Sequence, residues 1–177
     1  MVLNMKVINL FGSAGAGKST TALGIAHNLK INGYKVEYVS EYAKQLVMSG
    51  CQNLLAYQEH VFTNQLFQMN ILKDKSLDFI VTDSPLLLSS FYGTKYNTST
   101  NNLNQLIFEH YNNFDNINYF IKRTHNYDTT GRIQNESESD EDSEQLIKFL
   151  KDNNIKHKNV NSHTLLSAYI SYEIINV

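Results

Sequence analysis

GSAGAGKST, residues Gly12–Thr20, follows the apolar run KVINLF (Lys6–Phe11) and precedes TALGIAHNLK (Thr21–Lys30). Gly12-x-x-x-x-Gly17-Lys18-Ser19 matches the P-loop pattern in full. Gly15 and Gly17 allow positive φ, so successive N–H groups among Gly12, Ser13, Ala14, Gly15, Ala16, Gly17, Lys18, Ser19 and Thr20 can turn toward an anion. The loop opens into a helix, whose N-terminus favours negative charge. Lys18 is placed to reach the β- and γ-phosphates, and the Ser19 hydroxyl to ligate Mg²⁺. A glycine-rich turn that binds nothing would need neither the lysine nor the hydroxyl. The loop is therefore read as a site for ATP with Mg²⁺.

Working outward, short apolar runs alternate with helical patterns. Strands are expected at Lys6–Phe11, Tyr34–Ser40, Asp78–Asp83, Ile117–Arg123 and Lys158–Val160. Helices are expected at Lys18–Asn32, Tyr42–Met48, Leu54–Lys73, Asn102–Tyr111, Ser143–Asn153 and Thr164–Ile175. This alternation predicts an α/β fold, with about five strands in a parallel sheet and helices on both faces. The one compositional break is NESESDEDSE (Asn135–Glu144), which carries six acids and no base. Such a block reads as a solvated loop or a helix start, where acids complement the macrodipole.

Asp83 closes an apolar strand in FIVTDSP, the place of a metal-linked carboxylate, or of a base for an attacking hydroxyl. The alternative is an ordinary strand-end Asp capping a turn with Ser84 and Pro85, the chain's only proline. Glu41 ends the second strand and faces the same crevice as a candidate for the substrate side. Its alternative is an N-cap of the next helix. Against thirteen lysines the chain has two arginines, Arg123 and Arg132. Both fall at or after the fourth strand, where a short lid of about residues 124–142 is expected to bring guanidinium groups onto phosphate. Gly131 would let that loop fold over the nucleotide. The histidines show no metal-ligand spacing with Cys51; His60 is the one beside the expected acceptor side. Tyr42, Tyr57, Phe62, Phe67, Phe91 and Tyr92 read mainly as packing, with one or two available to stack on a base.

The chain has 177 residues, 42% apolar, with a net charge of -2, which suits one domain spanning 1–177 and gives no general attraction to nucleic acid. A single cysteine and no apolar run of membrane-spanning length lead to the expectation of a cytoplasmic protein, in the host cytoplasm if phage-encoded.

Taken in order, GSAGAGKST, YVSEYAK, QEHVFTNQ, VTDSPLLLSSFY, NYFIKR and NYDTTGRIQNE resemble a family of small phage P-loop proteins described as AAA-like ATPases. The same segments are similar to the nicotinamide-riboside kinase domain of NAD-salvage proteins and, more loosely, to thymidylate kinases. One similar branch comprises phage kinases acting on 5-hydroxymethyluracil in DNA. The resemblance covers roughly Met5–Leu150. It implies a three-layer P-loop NTPase fold and an ATP-dependent kinase, with Lys18, Ser19 and Asp83 at the reaction centre and Arg123 and Arg132 in the lid. Where thymidylate kinases carry Asp-Arg after the second strand, this chain has Glu41-Tyr42, which argues against plain thymidylate phosphorylation.

The acceptor stays open among a nucleoside, a nucleotide and a hydroxymethylated pyrimidine in DNA. A DNA substrate would require lysines such as Lys44, Lys73, Lys75 and Lys95 to gather on one face. The competing expectations are an ATPase switch or assembly factor, and a binding module without chemistry. A kinase is expected to be a monomer or homodimer, with no membrane attachment.

Overall fold

The structure, a computed structural model, describes residues 5–73, 75–128 and 134–176. Five strands form one sheet in the order β2-β3-β1-β4-β5. They are β1 (Lys6–Phe11), β2 (Val36–Val39), β3 (Phe79–Thr82), β4 (Asp115–Lys122) and β5 (Lys158–Asn161). Every pairing is parallel, with β1 between β3 (Ile8 opposite Val81) and β4 (Ile8 opposite Ile117). Strands covered on both faces read as unbroken apolar runs. Accordingly, Val7 to Phe11 and all of β3 are buried.

Side chains alternate across β1 and so serve two cores. Val7 and Phe11 pack with Phe62, Leu66, Phe91, Ile107, Leu146 and Leu150. These come from α3 (Gln58–Asn70), α4 (Leu87–Lys95), α5 (Asn101–Asn112) and α6 (Glu136–Asp152). Ile8 and Leu10 pack with Ile25, Leu29, Leu166 and Ile170 of α1 (Lys18–Ile31) and α7 (Leu166–Ile175). Burying one such side chain contributes about 1.5–3 kcal/mol. The three-layer fold is the expected one.

Three expectations along the chain are corrected. The helix expected over Leu54–Lys73 is two pieces, a 3-10 turn at Gln52–Ala56 and then α3, parted at Tyr57 by backbone at φ -103°, ψ 83°. The sequence pattern missed α4. Leu87, Leu88, Ser89, Ser90, Phe91 and Gly93 are all buried, so the helix has no polar face to give a helical period. Finally, α6 begins at Glu136, seven residues before the expected Ser143. The acidic block is the first turns of this helix. Asn135 and Glu138 form a reciprocal capping box, and Glu136 and Glu138 stand in the first turn, where the helix dipole favours acids. The expected lid segment of 124–142 is therefore helical from Glu136 onward.

From β1 the chain runs through α1 to the edge strand β2, returns to β3, and later crosses to β4 on the other side. The carboxyl end of β1 is thus a topological switch point, where open α/β sheets bind ligands. The phosphate loop, the β2–α2 turn and the segments after β3 and β4 converge there, with α2 spanning Tyr42–Met48.

Candidate functional site

The phosphate loop connects β1 to α1 along the predicted path. Gly12 has φ 147°, and a Cβ there would come 2.7 Å from the carbonyl oxygen of Ile121 on β4. Only glycine lets the loop leave β1 so close to its neighbour. Gly17, at φ 86°, occupies the N-cap of α1. The Lys18 ammonium donates to the carbonyl oxygens of Gly12 at 2.8 Å and Ser13 at 3.0 Å, which draws its charge over the loop.

Asp83 follows β3 and is 1% exposed. The Tyr38 hydroxyl donates to Asp83 Oδ2 at 2.9 Å, while the buried Oδ1 has no hydrogen-bond partner among the described residues. Burial, followed by the Asp83 charge, pushes the Tyr38 phenol far up, and the nearby Ser19 hydroxyl opposes the shift. Tyr38, a residue that no sequence pattern singles out, thus stands between the P-loop hydroxyl and the strand-end acid. The turn after β3 is held by Thr82 Oγ1, which accepts from the Ser84 N–H at 3.1 Å. The capping role considered for Asp83 thus falls to Thr82.

A buried carboxyl oxygen without a donor beside a serine hydroxyl fits a divalent cation. Ser19 and Asp83 are the residues that would hold Mg²⁺. Among the described residues no three His, Cys, Asp or Glu side chains form a metal cage. A metal here would take most of its ligands from phosphate and water.

Glu41 occupies the N-cap position of α2, but its side chain makes no capping hydrogen bond. Its carboxyl lies in the cleft. Burial holds it above the usual 4.5, Lys18 and Lys44 oppose the shift, and Asp83 adds to it. The turn that carries it is fixed from α3 by buried Gln65, which accepts from the Tyr42 N–H at 2.9 Å and donates to the Ser40 carbonyl at 3.2 Å. A glutamine among the apolar positions of the buried face of α3, shared with Gln58, was the available signal for Gln65. His60 also reaches this wall, with Nε2 3.0 Å from the Tyr42 hydroxyl. Of the other aromatics named, Phe62 and Phe91 are core, whereas Tyr57 and Phe67 are exposed. Tyr92 lies within electrostatic reach of Asp142 and Glu41; burial first, then those carboxyls, push its phenol up.

Glu41→Gln is expected to stabilise the fold at neutral pH. Between 4.5 and the higher folded value, the folded chain retains a proton that the unfolded chain has lost. Stability therefore falls as pH rises through that window and levels off above it. The glutamine variant lacks this fall. Its melting temperature should match the parent near pH 4 and exceed it by ~2–4 °C at pH 8, the effect of about 1 kcal/mol. Equal melting temperatures at both pH values would contradict the enclosed carboxyl.

Arg123 follows β4. Its guanidinium donates to Glu136 Oε1 at 2.7 Å, Asp140 Oδ1 at 2.5 Å and the His125 carbonyl at 3.1 Å. The acids of α6 therefore anchor this arginine. Arg132 and Gly131 lie outside the described residues. The loops after β4 and β5 are tied together, since Ser162 Oγ accepts from the Thr124 N–H at 2.9 Å and lies 3.1 Å from His125 Nδ1. His125 in turn lies over the start of α1, with Cε1 3.9 Å from where a Gly17 Cβ would be.

A second contact ties α6 to the phosphate loop. Ser139, fully buried, donates to the Ala14 carbonyl at 2.7 Å and lies 3.0 Å from Ser13 Oγ. The residue sits inside the acidic block, where charge drew the reading away from it. Ser139→Ala leaves those loop groups without a buried partner, at a cost of about 1–3 kcal/mol. We expect a lower melting temperature and a weaker thermal shift on adding ATP; an unchanged ATP shift would show that the loop keeps its shape without the contact.

An open cavity of about 550 Å³ runs from Ser19 and Asp83 past Tyr38 to Glu41 and Lys44. Ser19, Asp83 and Glu41 thus face one crevice, with the Lys18 charge within electrostatic reach of Glu41 and Arg123 anchored by α6. Three of the four lysines proposed for a DNA track stand at separate places. Lys44 lines the cavity, Lys95 pairs with buried Asp142, and Lys73 lies 4.3 Å over the Phe114 ring, next to the opposite end of β4.

The fold recurs in solved kinases. NadR protein in complex with NR superposes with a TM-score of 0.73 at 16% identity, over 97% of this chain and 51% of NadR. The chain thus spans about half the length of NadR. Deoxyadenosine kinase from M. mycoides with bound dATP gives 0.58 at 20% identity, covering 97% of this chain and 100% of that one. Thymidylate kinase from Ehrlichia chaffeensis gives 0.62 at 15% identity, covering 98% of each chain. At these identities the likeness is one of fold. No curated protein matches the chain. A family model described as AAA domain matches residues 7–165, most of the sequence, and the chain belongs to that P-loop family.

Proposed function

We propose that the chain is an ATP-dependent phosphotransferase that moves the γ-phosphate of ATP to an acceptor of the nucleoside or nucleotide type, hydroxymethylated pyrimidines included. The observation that carries this reading is the single cleft in which Ser19, Tyr38, Asp83 and Glu41 meet. Its donor end is a phosphate loop and its other end is lined by hydrogen-bonding side chains. A hydrolytic switch has no need of an acceptor chamber. The fold shared with nucleoside and nucleotide kinases supports the reading.

The residues have separable tasks. The loop N–H groups and Lys18 bind and orient the donor phosphates. Ser19 and Asp83 would hold Mg²⁺, which supplies charge neutralisation at the phosphates when bound. Glu41 orients the acceptor by accepting hydrogen bonds from its hydroxyls. Either Glu41 or Asp83 takes the attacking hydroxyl's proton. Arg123, held by Glu136 and Asp140, and Arg132 are assigned to the donor side. Most of the rate enhancement comes from position and fixed charge.

The test compares ADP formation with and without acceptor, alongside light scattering. Acceptor-dependent ADP formation by a monomer or homodimer supports transfer. Acceptor-independent hydrolysis by a nucleotide-assembled ring would overturn it in favour of an ATPase switch.

A further inference from the structure

Arg123 is the one arginine among the described residues, and its charge is spent on acids. Its side chain is 10% exposed. Nη1 donates to Glu136 Oε1 and to the His125 carbonyl, and Nη2 donates to Asp140 Oδ1. Nε is buried and has no acceptor among the described residues. Each carboxylate thus takes a single nitrogen, on two different arms of the guanidinium. A guanidinium binds an oxyanion best through two parallel N–H groups, the fork that phosphate oxygens match. The edge carrying Nε is left without such a partner.

The same part of α6 touches the phosphate loop. Glu136, Ser139 and Asp140 stand at positions i, i+3 and i+4, which share one helix face. Ser139 donates to the Ala14 carbonyl, and the two carboxylates lie within one helical turn of it. His125, whose carbonyl accepts from Arg123, has its ring over Gly17. A triphosphate on the loop is a multiply charged anion. It attracts the guanidinium and repels both carboxylates, and half-buried charges are weakly screened.

Resting on the reading of the loop as an ATP site, and on nothing about the acceptor, we propose that Glu136 and Asp140 form an autoinhibitory clasp on Arg123. They compete with the triphosphate for the guanidinium. ATP binding is completed when Nη1 and Nη2 give up the carboxylate oxygens and the Nε edge takes phosphate oxygens as a fork. No covalent bond changes. The acidic start of α6 thereby sets how tightly the loop holds ATP. With Arg123 free of its acids in about a tenth of the molecules, ATP affinity is lowered about 10-fold.

The test measures ATP binding to the full chain by calorimetry with Mg²⁺, in the parent, Glu136→Gln, Asp140→Asn and the double variant. The capping pair Asn135 and Glu138 is kept, so α6 retains its start. We expect the double variant to bind ATP about 10-fold more tightly, and each single variant by a smaller factor. A merely structural loss would not tighten binding. The same two substitutions are then made on Arg123→Ala, where they should change the affinity less than about threefold, because no guanidinium remains to be released. If melting shows that Arg123→Ala does not fold, Arg123→Lys takes its place, since an ammonium lacks the fork. Equal or weaker ATP binding by the double variant would overturn the inference and make the acids a support for Arg123. A 10-fold tightening that persists without the guanidinium would overturn it in favour of bare charge repulsion. A parent chain that binds no ATP would overturn the phosphate-loop reading instead.

Discussion

Lys18→Ala is expected to abolish phosphate transfer, with a loss of about 10³-fold or more in kcat, while the chain stays folded. The ammonium is the fixed positive charge nearest the phosphate loop, held there by the Gly12 and Ser13 carbonyls. Charge developing on the transferring group is met by this ammonium before the reaction begins, so its loss falls on the transition state. The cost to the fold is small. The hydrogen bonds to the carbonyls of Gly12 and Ser13 are lost, at about 1 kcal/mol each. Circular dichroism and melting should therefore resemble the parent. Full activity in the folded variant would remove the phosphate loop from the mechanism.

Asp83→Asn should lower transfer by about 10²–10⁴-fold, whether Asp83 serves as a metal ligand or as a base. The side chain is buried and the replacement has the same shape, so the fold has little to rearrange. The Tyr38 hydroxyl still finds an amide oxygen in place of Oδ2. What disappears is the second oxygen, Oδ1, which has no donor among the described residues. The two roles separate by thermal shift. If Asp83 holds Mg²⁺, the extra stabilisation that Mg²⁺ adds to ATP binding should vanish in the variant. If it persists and only transfer is lost, Asp83 acts on the acceptor's proton. An active variant with an intact Mg²⁺ effect would remove Asp83 from both roles.

The parts of this site that were legible in the sequence are those whose chemistry is local. Gly12 to Thr20 reads as a phosphate loop through spacing alone, because glycine conformations and one lysine are needed in a fixed order along nine residues. The strands β1 and β3 were legible because a strand buried on both faces leaves an unbroken apolar run. Asp83 could be placed because it ends such a run, and Glu41 because it follows β2 at the same carboxyl edge of a parallel sheet.

What the sequence hid depends on contacts made across the fold. Tyr38 looks like any half-buried strand tyrosine until Ser19 and Asp83 are seen on either side of its hydroxyl. Ser139 is one serine in a run of acids, yet it fastens α6 to Ala14, 125 residues away. The acidic block was read for its charge. Its effect is to fix Arg123 through Glu136 and Asp140, a pairing between segments that no period in the sequence encodes. The missed α4 is the converse case. A helix surrounded by protein loses the polar face that would have identified it.

The measurement that tests the central claim most directly follows the γ-phosphate. Labelled ATP and Mg²⁺ are incubated with the chain and a mixture of nucleosides, and the label is traced to an organic acceptor or to inorganic phosphate. The account predicts label on a nucleoside hydroxyl, absent with Lys18→Ala and strongly reduced with Glu41→Gln. Label released as inorganic phosphate at the same rate with and without nucleosides would contradict it.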